Sequence, residues 1–171
     1  MRIYISQSDI LPQAFITHTT PPKSLDSYSK ILPSLPPPQA LLAEITHIAR
    51  SNPTTLTLAP SNLEGSTPAL FIRPEKHTPN GHTYATRSPR EVFHVHSAAE
   101  GSCHAVLSAA DAKLVLEKGW GERHGLSGRA LGFPLGYVMV FAPRGVEDVR
   151  GVVGRVARAA VRYALEGGEV V

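Results

Sequence analysis

Three histidines, His94, His96 and His104, lie close together at spacings that suit a shared task. Side chains alternate between the faces of a strand, so along Glu91–His96 the residues Val92, His94 and His96 point one way, opposite Phe93 and Val95. Along Ser102–Leu107 the same rule groups Ser102, His104 and Val106 opposite Cys103, Ala105 and Leu107. A hairpin closing symmetrically about the loop Ser97–Gly101 sets His96 across from Ser102 and His94 across from His104. All three imidazoles then share one face, an arrangement that a one-residue slip would destroy. Such a cluster supports two kinds of chemistry. Three neutral imidazoles with an open position hold a catalytic zinc or non-haem metal ion. Alternatively, one imidazole serves as general base while the others orient it or bind oxygen atoms. A half-exposed polar sheet face carrying idle histidines is the structural alternative to both.

A second constellation is Gly119-Trp120-Gly121-Glu122-Arg123-His124. Two glycines around the only tryptophan predict a tight turn after a helix. The carboxylate, guanidinium and imidazole that follow could bind an anionic or enolic substrate. The same residues equally fit a helix end in which Trp120 fills the core and Glu122 and Arg123 are solvated. Cys103 is expected to face away from the histidines, which disfavours a Cys/His nucleophile pair. Four other histidines (His18, His47, His77, His82) have no partner in sequence.

The elements that position these groups are legible in outline. Thirteen of the 15 prolines precede residue 90, and residues 1–38 read as a proline-rich N-terminal arm, unsuited to helix or central strand. Leu41, Leu42, Ile45 and Ile48 recur at helical spacing and predict a helix over Gln39–Arg50. Short strands are expected at Thr55–Leu58, Ala69–Arg73 and His82–Thr86. Ser108 is placed to cap a helix running to Lys118, with Asp111 at its positive end and Gly119 closing it. The apolar run Leu135–Ala142 predicts a strand buried on both faces. Val146, Val149, Val153, Val156, Ala160 and Tyr163 predict a last helix over Val146–Glu166, with Arg150, Arg155, Arg158 and Arg162 on its solvated side. This order argues an α+β fold: one domain over residues 39–171, mostly antiparallel sheet, with about three helices packed mainly on one face.

Composition excludes several classes. The chain has 171 residues, 42% hydrophobic and 18% charged, enough to bury a core without staples. A single cysteine rules out an intramolecular disulfide framework or a cysteine-rich zinc module. The net charge of +3 comes from scattered residues with no basic block, so a nucleic-acid partner is not expected. No apolar run approaches a membrane span, and the N-terminus lacks a signal-peptide pattern, so the expected compartment is the cytoplasm.

Five segments, in order, resemble the fungal luciferase domain family: Glu91-Val-Phe-His-Val-His96, Glu100-Gly-Ser-Cys-His104, Ala110-Asp-Ala-Lys-Leu-Val115, Gly119-Trp-Gly-Glu-Arg-His124 and Tyr137-Val-Met-Val-Phe-Ala-Pro-Arg144. The resemblance covers roughly residues 88–166. It departs at Gly125, where proline is expected, in the Ser97–Glu100 loop, and across the proline-rich N-terminal half. It implies an oxygenase that needs no cofactor, with O₂ as co-substrate and a hydroxylated pyrone or related phenolic or polyketide as substrate. On that reading His94, His96 and His104 supply a base, Arg123 and His124 the electrostatic partner, and Ser102, Trp120, Glu122 and Tyr137 contact the substrate. The rival expectations are a divalent metal on His94, His96 and His104, or a small-molecule binding domain without turnover. Oligomeric state is not encoded in any of these features.

Overall fold

A computed structural model describes residues 37–77, 88–96, 101–129 and 132–165. The described chain begins in helix α1, Pro37–Ser51, two residues earlier than expected. Proline is tolerated in a first helical turn, where its missing N–H would have had no partner. Strands β1 (Leu56–Pro60), β2 (Pro68–Ile72), β3 (Glu91–Val95) and β4 (Cys103–Val106) follow. Helix α2 spans Ala109–Glu117, and strands β5 (Gly121–Arg123) and β6 (Tyr137–Val140) complete one six-stranded sheet in the order β1-β2-β3-β4-β6-β5. Every pairing is antiparallel. The fold is α+β, with the helices against one face of the sheet.

That face carries the core. Leu70, Phe93, Val95, Cys103, Ala105, Val138 and Val140 from the strands meet Leu41, Ile45 and Ile48 of α1, Val115 of α2 and Val156 and Ala160 of the last helix. Apolar burial at about 25 cal/mol per Å² is what holds the helices to the sheet. Leu42, expected in the α1 stripe, instead faces outward at 47% exposure, and Glu44 is buried in its stead. Glu44 is satisfied by Arg158, whose guanidinium lies 2.8 Å away, and by Arg150 at 4.0 Å. Two of the four arginines read as a solvated face therefore turn inward to pair with a buried carboxylate.

Capping of α2 follows expectation. The Ser108 side chain accepts from the Asp111 N–H, and Gly119 closes the helix at φ +70°. Other boundaries are corrected. The strand expected over Leu135–Ala142 is confined to Tyr137–Val140, because Leu135 and Phe141 are exposed at 73% and 41%. The last helix is not uniform. An α-turn over Val146–Asp148 opens into a π-helical segment, Val149–Gly154, before α3, Arg155–Ala164. The wider π turn brings Val152 as well as Val153 into the core. Strand β5 was not expected at all. The expected strand His82–Thr86 and the arm up to residue 36 lie outside the described residues. Among the described residues no helix is long and apolar enough to cross a membrane.

Candidate functional site

The hairpin of β3 and β4 sets the site. Its register pairs Phe93 with Ala105, His94 with His104 and Val95 with Cys103. The pairing continues at His96, whose N–H donates to the Ser102 carbonyl at 2.8 Å. Imidazole centroids lie 5.0 Å apart for His94 and His104, 4.4 Å for His96 and His104, and 5.8 Å for His94 and His96. One nitrogen from each ring falls within 4.8 Å of the others. Cys103 faces the core, and burial raises its thiol pKa far above the usual range.

Continuing the registers sideways gives the row Ala69, His94, His104, Met139, Glu122 across five strands. Glu122 therefore shares the histidine face, at its exposed edge. Arg123, one residue on, joins the row of Val138, Ala105 and Phe93 on the opposite face, where its Nε donates to Ser127 Oγ at 3.2 Å. Trp120 packs against the core, with the Arg144 guanidinium 4.5 Å above its ring. The second constellation is thus divided. Glu122 and His124 join the histidines, and Arg123 and Trp120 do not.

His124 lies 4.8 Å from His104 and 4.4 Å from Tyr137, centroid to centroid, and Phe133 stacks on Tyr137 at 4.8 Å. The His104 ring also bonds through Nδ1 to the Tyr137 hydroxyl, and His96 Nδ1 to Ser102 Oγ at 2.9 Å. The four imidazoles are therefore edged by an aromatic pair.

Val92 is not where strand alternation put it. Between β2 and β3 the pairing shifts, with Leu70 opposite Phe93 but Phe71 opposite Glu91, so Val92 is the extra residue of a β-bulge. The bulge sends Val92 into the core beside Phe93 and brings Glu91 onto the histidine face. Arg90, just before it, has φ 113°, a strained value for a residue with a side chain. Glu91 is fully buried, and its Oε1 lies 2.8 Å from His94 Nδ1. Ser61 Oγ donates to the same oxygen at 2.7 Å, and the Asn62 N–H donates to Oε2 at 3.1 Å. Burial alone would raise the Glu91 pKa, but the hydrogen bonds from His94, Ser88 and Ser61 outweigh it and hold the carboxyl below its ordinary range. A second carboxylate, Glu64 on the turn after β1, stands 3.9 Å from His96 Nε2.

Residues 89–160 match the family described as the Luciferase domain. Curated luciferases from Armillaria gallica and Armillaria mellea are each 32% identical over 133 residues, 73% of this chain and 49% of theirs. The luciferase of Neonothopanus nambi is 34% identical over 113 residues, 62% of this chain and 42% of that one. The chain carries a domain of the fungal luciferase family. It spans about half the length of the curated luciferases it matches. No solved structure matches it significantly.

Within the luciferase domain lie Glu91, the four clustered histidines, Phe133 and Tyr137. Ser61 and Glu64 come from outside the matched segment, on the turn that reaches over the histidine face. Sequence reading missed Glu91, Ser61, Glu64 and Phe133. A carboxylate at the head of a strand full of buried residues was the only available signal, and it becomes informative only once the bulge is known.

The electrostatics fix protonation. His104 has its pKa lowered to about 2, first by burial and then by repulsion from His94, His96 and His124. That of His124 is lowered too, again mainly by burial. The backbone N–H of Leu126 donates to His124 Nδ1 at 3.1 Å, so neutral His124 carries its proton on Nε2. Burial raises the Tyr137 pKa, which keeps the phenol protonated. A folded-state imidazole pKa below that of the unfolded chain makes folding disfavour the proton. Stability is therefore complete above about pH 6.5 and is lost as pH falls below it, at about 1.4 kcal/mol per pH unit for one such group. Glu91 acts in the same direction at lower pH, its contribution being lost as the carboxylate protonates. Melting temperature should accordingly be level above about pH 6.5 and fall steadily from there to pH 4.5; a flat profile over that lower range would contradict the buried-imidazole assignment.

Proposed function

We propose that the chain is a luciferase-like oxygenase for a hydroxylated pyrone, or a related phenolic or polyketide, with O₂ as co-substrate and no further cofactor. The observation that carries this reading is the convergence of His94, His96, His104 and His124 beside Tyr137 and Phe133, in a domain that belongs to the luciferase family. A hydroxypyrone becomes its own electron source once deprotonated. The protein then has to take the hydroxyl proton, hold the enolate and keep water away. Addition of O₂ across the deprotonated ring forms an endoperoxide, which expels CO₂. In this reading a neutral imidazole takes the proton, and His124, with its proton on Nε2, donates to the developing oxyanion. The proposal concerns oxygenation and does not extend to light emission.

A second reading, a divalent metal held by His94, His96 and His104, is favoured by one observation. Each ring makes a hydrogen bond through Nδ1, to Glu91, Ser102 and Tyr137 respectively, which is how metal-binding imidazoles are oriented. One experiment separates the readings. The full chain is mixed with a panel of hydroxypyrones including 3-hydroxyhispidin, in air and anaerobically, with and without chelator. Substrate loss matched by O₂ uptake and indifferent to chelator is expected. Chelator-sensitive turnover selects the metal reading, and a spectral shift without O₂ uptake reduces the domain to a binding module.

A further inference from the structure

We infer that Glu91 is the positioning residue of the site: it keeps the proton of His94 on Nδ1, so that the lone pair is on Nε2. The inference rests on the proposed oxygenation site for its kinetic consequence, but its structural content stands on hydrogen bonding alone.

The argument is one of donors and acceptors. The Asn62 N–H can only donate, and it occupies Glu91 Oε2 at 3.1 Å. Ser61 Oγ accepts from the N–H groups of Leu63 and Glu64, both at 3.0 Å, which directs its own hydrogen to Glu91 Oε1. Ser88 adds a further hydrogen bond to the carboxylate, and the remaining contact is His94 Nδ1, 2.8 Å from Oε1. A carboxylate held in its charged form accepts and does not donate, so this nitrogen must carry the hydrogen. The other three imidazoles meet different groups at Nδ1. His96 and His104 meet hydroxyls that can turn either way, and His124 accepts from a backbone N–H. His94 is fixed by a carboxylate with its proton away from Nε2. His124 is fixed in the opposite sense. The pair divides the work into proton acceptor and hydrogen-bond donor. The bulge at Val92 is what makes this possible, since in a regular strand Glu91 and His94 would point to opposite faces.

Glu91→Gln tests the assignment. One amide oxygen cannot meet all the donors that the two carboxylate oxygens accept. If it serves Asn62, the amide NH₂ faces Ser61 and His94 and drives the His94 proton to Nε2. If it serves His94, the NH₂ opposes the Asn62 N–H. The decisive measurement is the tautomer of His94 by ¹⁵N NMR of the full chain, without substrate. Wild type should show the proton on Nδ1, and Glu91→Gln should move it to Nε2. With 3-hydroxyhispidin as probe, Glu91→Gln should lower kcat by about 10²–10⁴-fold with little change in KM. In a His94→Ala background it should cost nothing further. Wild-type His94 protonated on Nε2, or a Glu91→Gln protein that keeps the Nδ1 proton and full turnover, overturns the inference. So does a Glu91→Gln loss that persists undiminished without His94, since that is the mark of a purely structural carboxylate. Should Glu91→Gln not fold, the wild-type tautomer decides alone. An Nδ1 proton without turnover of any pyrone supports the inference and rejects the oxygenase reading.

Discussion

His94→Ala should lower turnover of the hydroxypyrone probe by about 10²–10⁴-fold, the usual worth of a positioned proton acceptor. It should also destabilise the fold, which a histidine on an open surface would not do. His94 is fully buried, and its removal deprives the equally buried Glu91 carboxylate of a donor. Leaving such a group short of a partner costs about 1–3 kcal/mol, and each kcal/mol shifts the melting temperature of a domain this size by about 2–4 °C. The two effects can be parted. His94→Asn retains a donor near the Nδ1 position for Glu91 but has no basic nitrogen, so stability should largely return while activity does not. His96→Ala provides a second comparison. Its side chain is 16% exposed and its Nδ1 partner is the neutral Ser102 hydroxyl, so the stability cost should be nearer 1 kcal/mol. Thermal melts and kcat on the same preparations check all three variants. Full turnover in His94→Asn would remove His94 from the chemistry.

The largest stability effect is expected from a residue with no chemistry of its own. Gly136 lies where β6 begins, and its carbonyl accepts from the Leu107 N–H at 2.9 Å. A Cβ at this position would lie 1.8 Å from the Leu107 carbonyl oxygen and 2.9 Å from its carbon. Both obstacles are backbone, so no rotamer change relieves them. Gly136→Ala must pry apart the end of the β4–β6 ladder, including the pairing of Val106 with Tyr137. A loss above about 4 kcal/mol is expected, together with displacement of Tyr137 from His104. Gly125→Ala is the control, because a Cβ there meets nothing within 4 Å, and a change within about 0.5 kcal/mol is expected. Melting temperatures of the two variants decide the matter. Similar values for both would show that the close approach at Gly136 does not constrain the fold.

The sequence by itself determined everything that depends on local repetition. Alternation along Ser102–Leu107 correctly divided His104 from Cys103, and the five-residue loop with matching parity correctly set His94 opposite His104. Helical spacing found α1, and capping chemistry placed the start of α2 at Ser108 and its end at Gly119. The five motifs carry the resemblance to the luciferase domain that the match over residues 89–160 bears out. These features are set by neighbours a few residues apart, where backbone geometry leaves few choices.

Tertiary structure decided the rest. Glu91 meets His94 only because pairing with β2 inserts a bulge at Val92, and nothing within β3 dictates that shift. Ser61 and Asn62 reach Glu91 across about thirty residues of intervening chain, by way of the β1–β2 turn. Arg123 left the histidines for the same kind of reason, whereas Trp120 precedes the strand and packs against the core. Strand β5 pairs with β6, and that register sends alternate side chains to opposite faces of the sheet. Glu44 is buried because Arg158, far away in sequence, packs over it. Local pattern fixes which side of an element a residue occupies. Which elements become neighbours, and where a ladder slips by one, is settled by the burial and hydrogen bonding of the assembled sheet, and there His94 acquired its carboxylate.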